Sequence, residues 1–317
     1  MSETTDMKGN TQKVSVIIPF LNNRDEVVEI SNKIREQGKD IFPEIICVDN
    51  GPEEKASFSS EFLEQQIVIS ERHFLESPYS ARNRGVERSM GSVVVFVDAN
   101  SAPAEQWLEN GLKCMDKTQA DMVAGYVGFD FEGEPNAAKV VDAITSIHQK
   151  KSVRDRQAAF TANLFVKREV FNSVGLFEEG VRSGGDVRWT TKATEAGNSI
   201  QYCPDAVVLK KARSYQALFK KRVRTGRGYL YTWMKEESDT VWFYNFLRSL
   251  KPPPHGKPAE LYLERYNEPV PVNKTTIWAV YYVMRIVEQL SFMAEYLRYN
   301  LGSGRNENRH KEVQKNR

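Results

Sequence analysis

Short apolar runs rich in branched residues alternate with amphipathic segments over the first 120 residues. Val14–Phe20, Glu44–Asp49 and Val93–Asp98 are too short for buried helices, and their valine and isoleucine content predicts buried strands. A further short strand is predicted over Gln66–Ser70. Apolar residues at helical spacing predict helices over Arg24–Gln37, Tyr79–Met90 and Pro103–Lys117. Apolar strands that alternate with helices favour the α/β class, with a mostly parallel sheet covered on both faces.

The alternation is less regular after residue 120. Strands are predicted over Asp121–Phe129, Phe160–Val166, Ile200–Cys203 and Ala206–Leu209. Helices are predicted over Asn136–Gln149, Gly184–Glu195, Tyr215–Arg224 and Thr275–Leu301. Between the last two helices, the proline-rich segment 251–258 is typical of a linker or a stiff loop.

The last predicted helix carries an apolar stripe at alternating spacings of four and three residues, formed by Ala279, Val283, Ile286, Leu290, Met293 and Leu297. Such a stripe packs against the rest of the chain, pairs with a second subunit in a homodimer, or lies on a membrane surface. Packing against the rest of the chain is the commonest of the three, and the sequence leaves the other two open.

Composition narrows the class of protein. The 44 basic and 42 acidic side chains nearly balance, so no nucleic-acid partner is expected. Cys47, Cys114 and Cys203 are too few and scattered for a zinc site or a disulfide framework, which favours a reducing cytoplasm.

No apolar run reaches the ~18 to 20 residues of a membrane-spanning helix, so we expect a cytoplasmic protein, soluble or peripheral to the membrane. The polar ends, 1–12 and 302–317, predict a disordered leader and a basic disordered tail.

Polar residues follow three of the predicted strands. They are Pro19–Asn23, Asp49–Asn50 and Asp98–Asn100. Because parallel strands end at one edge of a sheet, and ligands bind in the crevice there, these residues are expected to converge. Aspartate and asparagine also cap helices and form turns, which would explain any one cluster. Three clusters, each directly after a buried strand, favour a nucleotide-type site.

Six segments follow one another along the chain: Val14–Asn22, Ile46–Gly51, Ser80–Gly85, Gly91–Asn100, Asn163–Phe177 and Gly184–Trp189. Together and in this order, they resemble family 2 glycosyltransferases of the GT-A fold. The resemblance implies a Rossmann-like central sheet flanked by helices. It also implies a hexosyltransferase-type enzyme that moves a sugar from a nucleotide-diphospho-sugar to a hydroxyl acceptor with inversion. The acceptor would be a glycan, a lipid-linked molecule or a small molecule.

The resemblance also suggests a domain organisation. We expect a catalytic domain over 13–230, with a nucleotide-binding half over 13–120 and an acceptor half over 121–230. A helical C-terminal extension is expected over 231–301, before the basic tail.

Site roles follow from the resemblance position by position. Nucleotide-sugar contacts are implied for Pro19, Phe20, Asn22, Asp49, Asn50, Arg82, Asp98, Ala99 and Asn163. The amide of Asn50 could hydrogen-bond a pyrimidine edge, although the resemblance leaves the identity of the base open. Acceptor contacts are implied for Arg188 and Trp189, although Trp189 fits a core position equally well.

A basic segment near residue 220 is a candidate for contacts with the diphosphate. Lys220, Lys221, Arg222, Arg224 and Arg227 precede or flank Gly226 and Gly228. A glycine-flanked basic loop could fold over the leaving group, and diphosphate contacts are assigned to Lys210, Arg224 and Arg227. A solvated helix face or contact with anionic lipid headgroups would give the same pattern.

Asp186, in Ser183–Asp186, matches the catalytic base of the family. Direct displacement needs one carboxylate within reach of the attacking hydroxyl, and the diphosphate leaves from the opposite face of the sugar. The alternative is that Asp186 only begins a helix, where the helix dipole favours a negative charge.

The sequence leaves two alternatives open for a divalent metal ion at the diphosphate. Asp98-Ala99-Asn100 occupies the DxD position, where the family holds Mg²⁺ or Mn²⁺ on the diphosphate, so Asp98 and Asn100 are the candidate ligands. Asn100 brings no charge, and Lys210 and Lys211 stand where the family often has a metal-binding histidine. Either lysine and arginine share the cationic role and the metal dependence is weak, or Asn100 and a water retain the ion.

Two other functions fit parts of the pattern. One is a catalytically weakened sugar-nucleotide-binding protein, suggested by Asn100 and Lys210. The other is a nucleotidyltransferase, although such enzymes have a basic, glycine-rich loop after the first strand, unlike Phe20–Asn23.

Overall fold

The computed structural model describes residues 13–37, 41–52, 58–181, 183–233, 246–247 and 249–302. The expected leader and tail lie outside these residues. The chain divides into two compact units. The first unit comprises Met1–Gly128, Ile147–Gly180 and Asp186–Lys210, and the second comprises Phe129–Ser146, Val181–Gly185 and Lys211–Arg317.

An eight-stranded sheet has the strand order β3-β2-β1-β4-β7-β6-β8-β5. Its strands are β1 (Val14–Phe20), β2 (Glu44–Asp49), β3 (Ile67–Ser70), β4 (Val93–Val97), β5 (Ser101–Pro103), β6 (Met122–Asp130), β7 (Asn163–Lys167) and β8 (Ile200–Lys211). The neighbours β3, β2, β1 and β4 are parallel, as the buried apolar runs predicted. β7 is antiparallel to β4 and to β6, and β5 is antiparallel to β8, so the sheet is mixed.

Helices flank the strands of the first unit. They are α1 (Arg24–Arg35), α2 (Ser60–Gln65), α3 (Pro78–Arg88), α4 (Trp107–Thr118), α6 (Gln149–Arg156), α7 (Arg168–Val174) and α8 (Gly185–Glu195). α3 begins where the Ser77 hydroxyl accepts a hydrogen bond from the Ser80 amide and Pro78 fixes the first turn. α4 was predicted from Pro103, but residues 101–103 pair with β8, so the helix begins later.

The second unit contains α5 (Ala137–Thr145), α9 (Tyr215–Trp233), α10 (Lys257–Tyr266) and α11 (Lys274–Gly302). The single helix predicted over 136–149 is wrong, because Ser146 is extended and His148 caps a new helix by accepting from the Lys151 amide. α10 was missed because its start lies in the proline-rich segment, where Pro258 occupies the first turn.

Most of the apolar stripe predicted along α11 is exposed, although Met293 packs against Phe292 and Phe246. Val283, Leu290 and Leu297 are 53%, 54% and 48% exposed. The buried residues of α11 are Ile277, Met284, Glu288 and Phe292, which lie on a different face. Ile277 and Met284 pack with Leu218 of α9 and with apolar residues of α5 and α10. Helical periodicity located the helix but did not identify its buried face, because apolar residues occur on both the buried and the exposed face of α11.

The core of the first unit requires a glycine where α4 crosses the sheet. Gly111 faces Phe165 of β7, and a Cβ at this position would lie 2.2 Å from the ring atom Cζ. Since real Cβ atoms do not approach other heavy atoms this closely, the helix or the ring would have to move.

We expect Gly111→Ala to destabilise the protein. Overpacking costs roughly 1–3 kcal/mol, which exceeds the ~1 kcal/mol that alanine gains over glycine in a helix. Urea unfolding should show the loss, and the double variant Gly111→Ala/Phe165→Leu should recover part of it. The exposed Lys113→Ala on the same helix is the control, expected within about 0.5 kcal/mol of the parent. A Gly111→Ala protein as stable as the parent would contradict this packing.

Candidate active site

The predicted ligand edge of the sheet forms in the first unit. Phe20 and Asp49 are paired at the ends of the parallel strands β1 and β2. Pro19 and Phe20 are buried, whereas Asn22 is exposed, with φ of 59°, a left-handed conformation that asparagine tolerates. The side-chain oxygen of Asn22 lies near Gly51, beyond the end of β2. Residues after β1 and β2 therefore meet at one edge, as the sequence predicted.

Asp49 and Asn50 bind residues of their own chain. The Oδ2 of Asp49 accepts a hydrogen bond from Arg72 Nη2 at 2.6 Å, and its Oδ1 accepts from the amide of Gly51 at 3.0 Å. Asn50 Nδ2 donates to the carbonyls of Glu71 at 3.2 Å and Phe74 at 3.0 Å. Both N–H groups of the Asn50 amide are thus used within the protein, so they are not available to a pyrimidine edge in this arrangement.

Asp98 lies beyond β4 between two cations. Its Oδ1 accepts a hydrogen bond from Arg82 Nη2 at 2.8 Å, and its Oδ2 accepts from Lys210 Nζ at 2.9 Å. Lys210 also donates to Asn100 Oδ1 at 2.6 Å. Lys210 reaches this position because β8 pairs with β5, and the register sets it opposite Ser101. Ala99 is buried between the two polar residues, and Asn100 is exposed.

Asp186 lies in the first turn of α8 and is 9% exposed. Its Oδ1 accepts from the Tyr79 hydroxyl and from the Val187 amide, both at 3.0 Å. Its Oδ2 accepts from the Thr161 amide at 3.2 Å and from the Thr161 hydroxyl at 3.4 Å. Burial raises the pKa of Asp186 above its ordinary value, although the Arg82 charge and these hydrogen bonds oppose the rise.

Arg82 and Tyr79 connect the two carboxylates. The Arg82 guanidinium that binds Asp98 lies over the Tyr79 ring, with 5.5 Å between its central carbon and the ring centroid. Burial raises the pKa of the Tyr79 phenol, so this hydroxyl stays protonated and donates to Asp186. A continuous path of contacts therefore runs from Asp98 to Asp186 inside the first unit.

Asn163 and Trp189 pack inside the first unit. The sequence predicted a nucleotide-sugar contact for Asn163, and either an acceptor contact or a core position for Trp189. Asn163 is fully buried; it accepts from Trp107 Nε1 and donates to the carbonyls of Tyr126 and Ala206, so it joins α4, β6 and β8. Trp189 is 3% exposed and donates to the carbonyl of Gly175. Its ring packs on Phe171 and Phe177, with 4.8 Å between the ring centroids in both pairs.

Arg188 is placed differently from Trp189. Its guanidinium forms an ion pair with Glu178 at 2.8 Å, and its side chain is partly exposed. It lies two residues beyond Asp186 on α8. Its acceptor role stays a prediction.

The basic segment is part of a helix in the second unit, not a loop. Arg222 pairs with Glu288 at 2.7 Å, and Lys221 pairs with the fully buried Asp142 at 2.9 Å. Gly226 lies within α9. A Cβ at this position would fall 2.2 Å from the carbonyl oxygen of Glu288 on α11, so the close approach of the two helices requires a glycine here. Two of the five cations are thus structural, while Lys220, Arg224 and Arg227 are exposed.

Several residues of this site escaped the sequence analysis. Arg72, Tyr79, Ser101 and Thr161 each hydrogen-bond a predicted site residue. Tyr79 directly precedes the Ser80–Gly85 segment, but nothing in its spacing predicts a contact with a residue more than 100 positions away. Only the fold brings these side chains to the site.

Comparisons with known proteins identify the class. A family model described as Glycosyl transferase family 2 matches residues 15–174. Glycosyltransferase AglE of Haloferax volcanii is 35% identical over 230 residues, which is 70% of this chain and 74% of that protein. The pre-mycofactocin glycosyltransferase of Mycobacterium tuberculosis is 25% identical over 63% of this chain and 43% of that protein. The chain therefore belongs to glycosyl transferase family 2 and is a glycosyltransferase, so the binding-protein and nucleotidyltransferase alternatives are set aside.

Solved structures confirm the predicted GT-A-like fold. The mannosyltransferase PcManGT from Pyrobaculum calidifontis, in complex with GDP-Man and Mn²⁺, matches with a TM-score of 0.51 and 18% identity, over 93% of this chain and 76% of that chain. TarS 1–349 of S. aureus, in complex with UDP-GlcNAc, matches with a TM-score of 0.51 and 15% identity, over 92% of both chains. At these identities the likeness concerns the fold alone. Within the described ranges, every helix is too short or too polar to span a membrane.

We expect Asp142→Asn to unfold the second unit more easily. Burial alone would raise the pKa of Asp142, but the charges of Lys221 and Arg213 outweigh it and hold that pKa below its usual range. Removing the carboxylate leaves both cations without their partner, at a cost of roughly 3–5 kcal/mol. Thermal and urea unfolding measure the loss. The exposed Glu134→Gln is the matched control, and equal stability of the two variants would contradict the structural role of the basic segment.

Proposed function

We propose that this glycosyltransferase moves a sugar from a nucleotide-diphospho-sugar to a hydroxyl acceptor with inversion at the anomeric carbon. The observation that carries the proposal is the pair of carboxylates in one unit, Asp98 bound to two cations and Asp186 buried nearby along the Arg82–Tyr79 path. Asp98 and its cations belong to the donor side. Asp186 belongs to the acceptor side.

The reaction is a single displacement. The acceptor oxygen forms a bond to the anomeric carbon while its proton passes to a carboxylate oxygen of Asp186. The bond from that carbon to the diphosphate breaks, and its electron pair leaves on the nucleoside diphosphate. Attack from the face opposite the leaving group inverts the configuration. General-base catalysis of this kind contributes about 10²- to 10⁴-fold to the rate.

Burial suits Asp186 to act as the base. A carboxylate whose pKa is raised by desolvation accepts a proton more readily than an exposed one. Its hydrogen bonds from Tyr79 and the backbone fix its orientation. The Thr161 hydroxyl, at 3.4 Å, makes the longest of these contacts. We propose that the acceptor hydroxyl replaces this contact at Oδ2, with Arg188 on the same helix binding a more distant part of the acceptor.

The donor is assigned to the edge formed after β1, β2 and β4. Pro19, Phe20 and Asn22 line its start, and Arg82, Asp98 and Ala99 lie at the diphosphate end. PcManGT was solved in complex with GDP-Man and TarS in complex with UDP-GlcNAc, which supports a nucleotide-sugar donor for this chain. The diphosphate contacts predicted for the exposed Arg224 and Arg227 stay predictions. The free thiols of Cys47, Cys114 and Cys203 support a cytoplasmic location, at a membrane surface if the acceptor is lipid-linked.

Replacing Asp186 tests the base. Asp186→Asn should lower the transfer rate by about 10²- to 10⁴-fold, because the amide keeps the shape but cannot take the proton. Binding of the nucleoside diphosphate, measured by calorimetry, should change little because that group lies on the other side of the sugar. The exposed Asp155→Asn serves as the control. Transfer at the parental rate in Asp186→Asn would refute the role.

The pH profile tests the contact from Tyr79. Its hydroxyl stabilises the ionised form of Asp186, so Tyr79→Phe should raise the pKa of this carboxyl further. Since the base works only when ionised, the acidic limb of kcat/KM should move to higher pH, and the loss of rate should be greatest at low pH. Phe74→Leu is a control for aromatic packing elsewhere in the unit. An acidic limb that stays in place, or moves to lower pH, would contradict the assignment.

A further inference from the structure

We propose that the ammonium group of Lys210 replaces the divalent cation at the Asp98–Asn100 segment, so that the enzyme binds its donor diphosphate and transfers the sugar without a metal. This inference rests on the proposed function and concerns the same site.

The geometry around Lys210 is that of a bound cation. Its Nζ lies 2.9 Å from Asp98 Oδ2, 2.6 Å from Asn100 Oδ1 and 3.3 Å from Ser101 Oγ. An ammonium has three N–H donors, and each of them has an oxygen here. The Lys210 side chain is 4% exposed, so it is held in the site instead of extending into solvent.

These contacts use the oxygens that a metal would need. A magnesium or manganese ion at this segment would bind a carboxylate oxygen of Asp98 and the amide oxygen of Asn100. Lys210 holds one oxygen of each residue, and Arg82 holds the other oxygen of Asp98. Among the described residues, no group of three or more histidine, cysteine, aspartate or glutamate side chains is arranged to hold a metal. The donor set therefore does not fit the ion.

The net charge of the cluster formed by Asp98, Arg82 and Lys210 leads to the same conclusion. One carboxylate faces two cations, Arg82 and Lys210, so the cluster carries a net positive charge. An incoming divalent ion would stand beside both cations and would be repelled by them. A diphosphate would instead be attracted. The second acidic residue of a DxD segment would cancel this charge, and here the neutral Asn100 preserves it.

The Asp98–Asn100 segment reaches the surface of the first unit. The Asp98 side chain is 30% exposed and Asn100 is exposed, whereas Lys210 and Arg82 lie behind them. A lysine ammonium sits on a flexible stem and can turn one N–H from Asn100 or Ser101 to a phosphate oxygen. A cation held in place before the reaction stabilises the charge that develops on the leaving group.

The first test compares nucleotide binding in the presence of a chelator with binding in the presence of a divalent metal ion. Binding of UDP, GDP, ADP, CDP and dTDP to the full chain is measured by calorimetry, in EDTA and in Mn²⁺ or Mg²⁺. We expect one of these nucleotides to bind equally well in both conditions, and turnover of the matching nucleotide-sugar to survive EDTA. Nucleotide binding and turnover that both require the metal would overturn this inference and leave the proposed function intact. If none of the five binds in either condition, both are overturned.

The second test replaces Lys210. Lys210→Ala should weaken binding of the nucleoside diphosphate about tenfold or more and leave binding of the nucleoside itself unchanged, since only the phosphates face the ammonium. Lys211→Ala is the matched control, because the neighbouring lysine is exposed and pairs with Glu132. Lys210→Arg keeps the charge and should retain part of the affinity. Circular dichroism and unfolding curves show whether each variant is folded. Equal loss for nucleoside and nucleoside diphosphate would contradict the role.

The third test rebuilds a metal site. The double variant Asn100→Asp/Lys210→His supplies a second carboxylate and an imidazole in place of the ammonium. We expect its nucleoside diphosphate binding to become dependent on Mn²⁺, with little binding in EDTA. This result does not require turnover, so it is readable even if the variant is inactive. Binding in EDTA as tight as that of the parent would show that the ammonium is not the cation that holds the diphosphate.

Discussion

The neutralisation of Asp98 by two buried cations is the interaction on which the site depends. Arg82 comes from α3 and Lys210 from β8, so one carboxylate joins the parallel half of the sheet to its antiparallel end. Both cations are almost fully buried and need this partner, since an unpaired charge in the interior costs several kcal/mol. Removing Asp98 would therefore destabilise the site, and with Asp98 present the three groups carry a net positive charge.

The same arginine extends the influence of this cluster to Asp186. Its guanidinium lies over Tyr79, and the Tyr79 hydroxyl binds the Asp186 carboxylate. Burial makes Asp186 a stronger base, while the Arg82 charge and the hydrogen bonds keep its ionised form accessible. Electrostatics therefore connects the group proposed to hold the leaving diphosphate with the group proposed to accept the proton of the acceptor.

The second unit uses its charges in another way. Asp142 and Glu288 are buried in a helical bundle, and they are neutralised by Arg213, Lys221 and Arg222. These pairs fix α9 against α5 and α11 and give the basic segment a structural task. The exposed apolar residues of α11 lie on the face that these contacts do not cover.

The sequence by itself determined the parallel strands, the polar residues at their ends and the family. These features depend on short-range information, because the pattern that predicts a strand or the family lies within a few consecutive residues, as in Val14–Phe20 and Gly91–Asn100. Tertiary structure decided what the polar side chains bind. Asn50 and Asn163 were expected at the donor, but the chain's own carbonyls use their amides. Lys210 meets Asn100 across 110 positions because the register of β5 and β8 aligns them, and pairing at that separation leaves no periodic signal in the sequence.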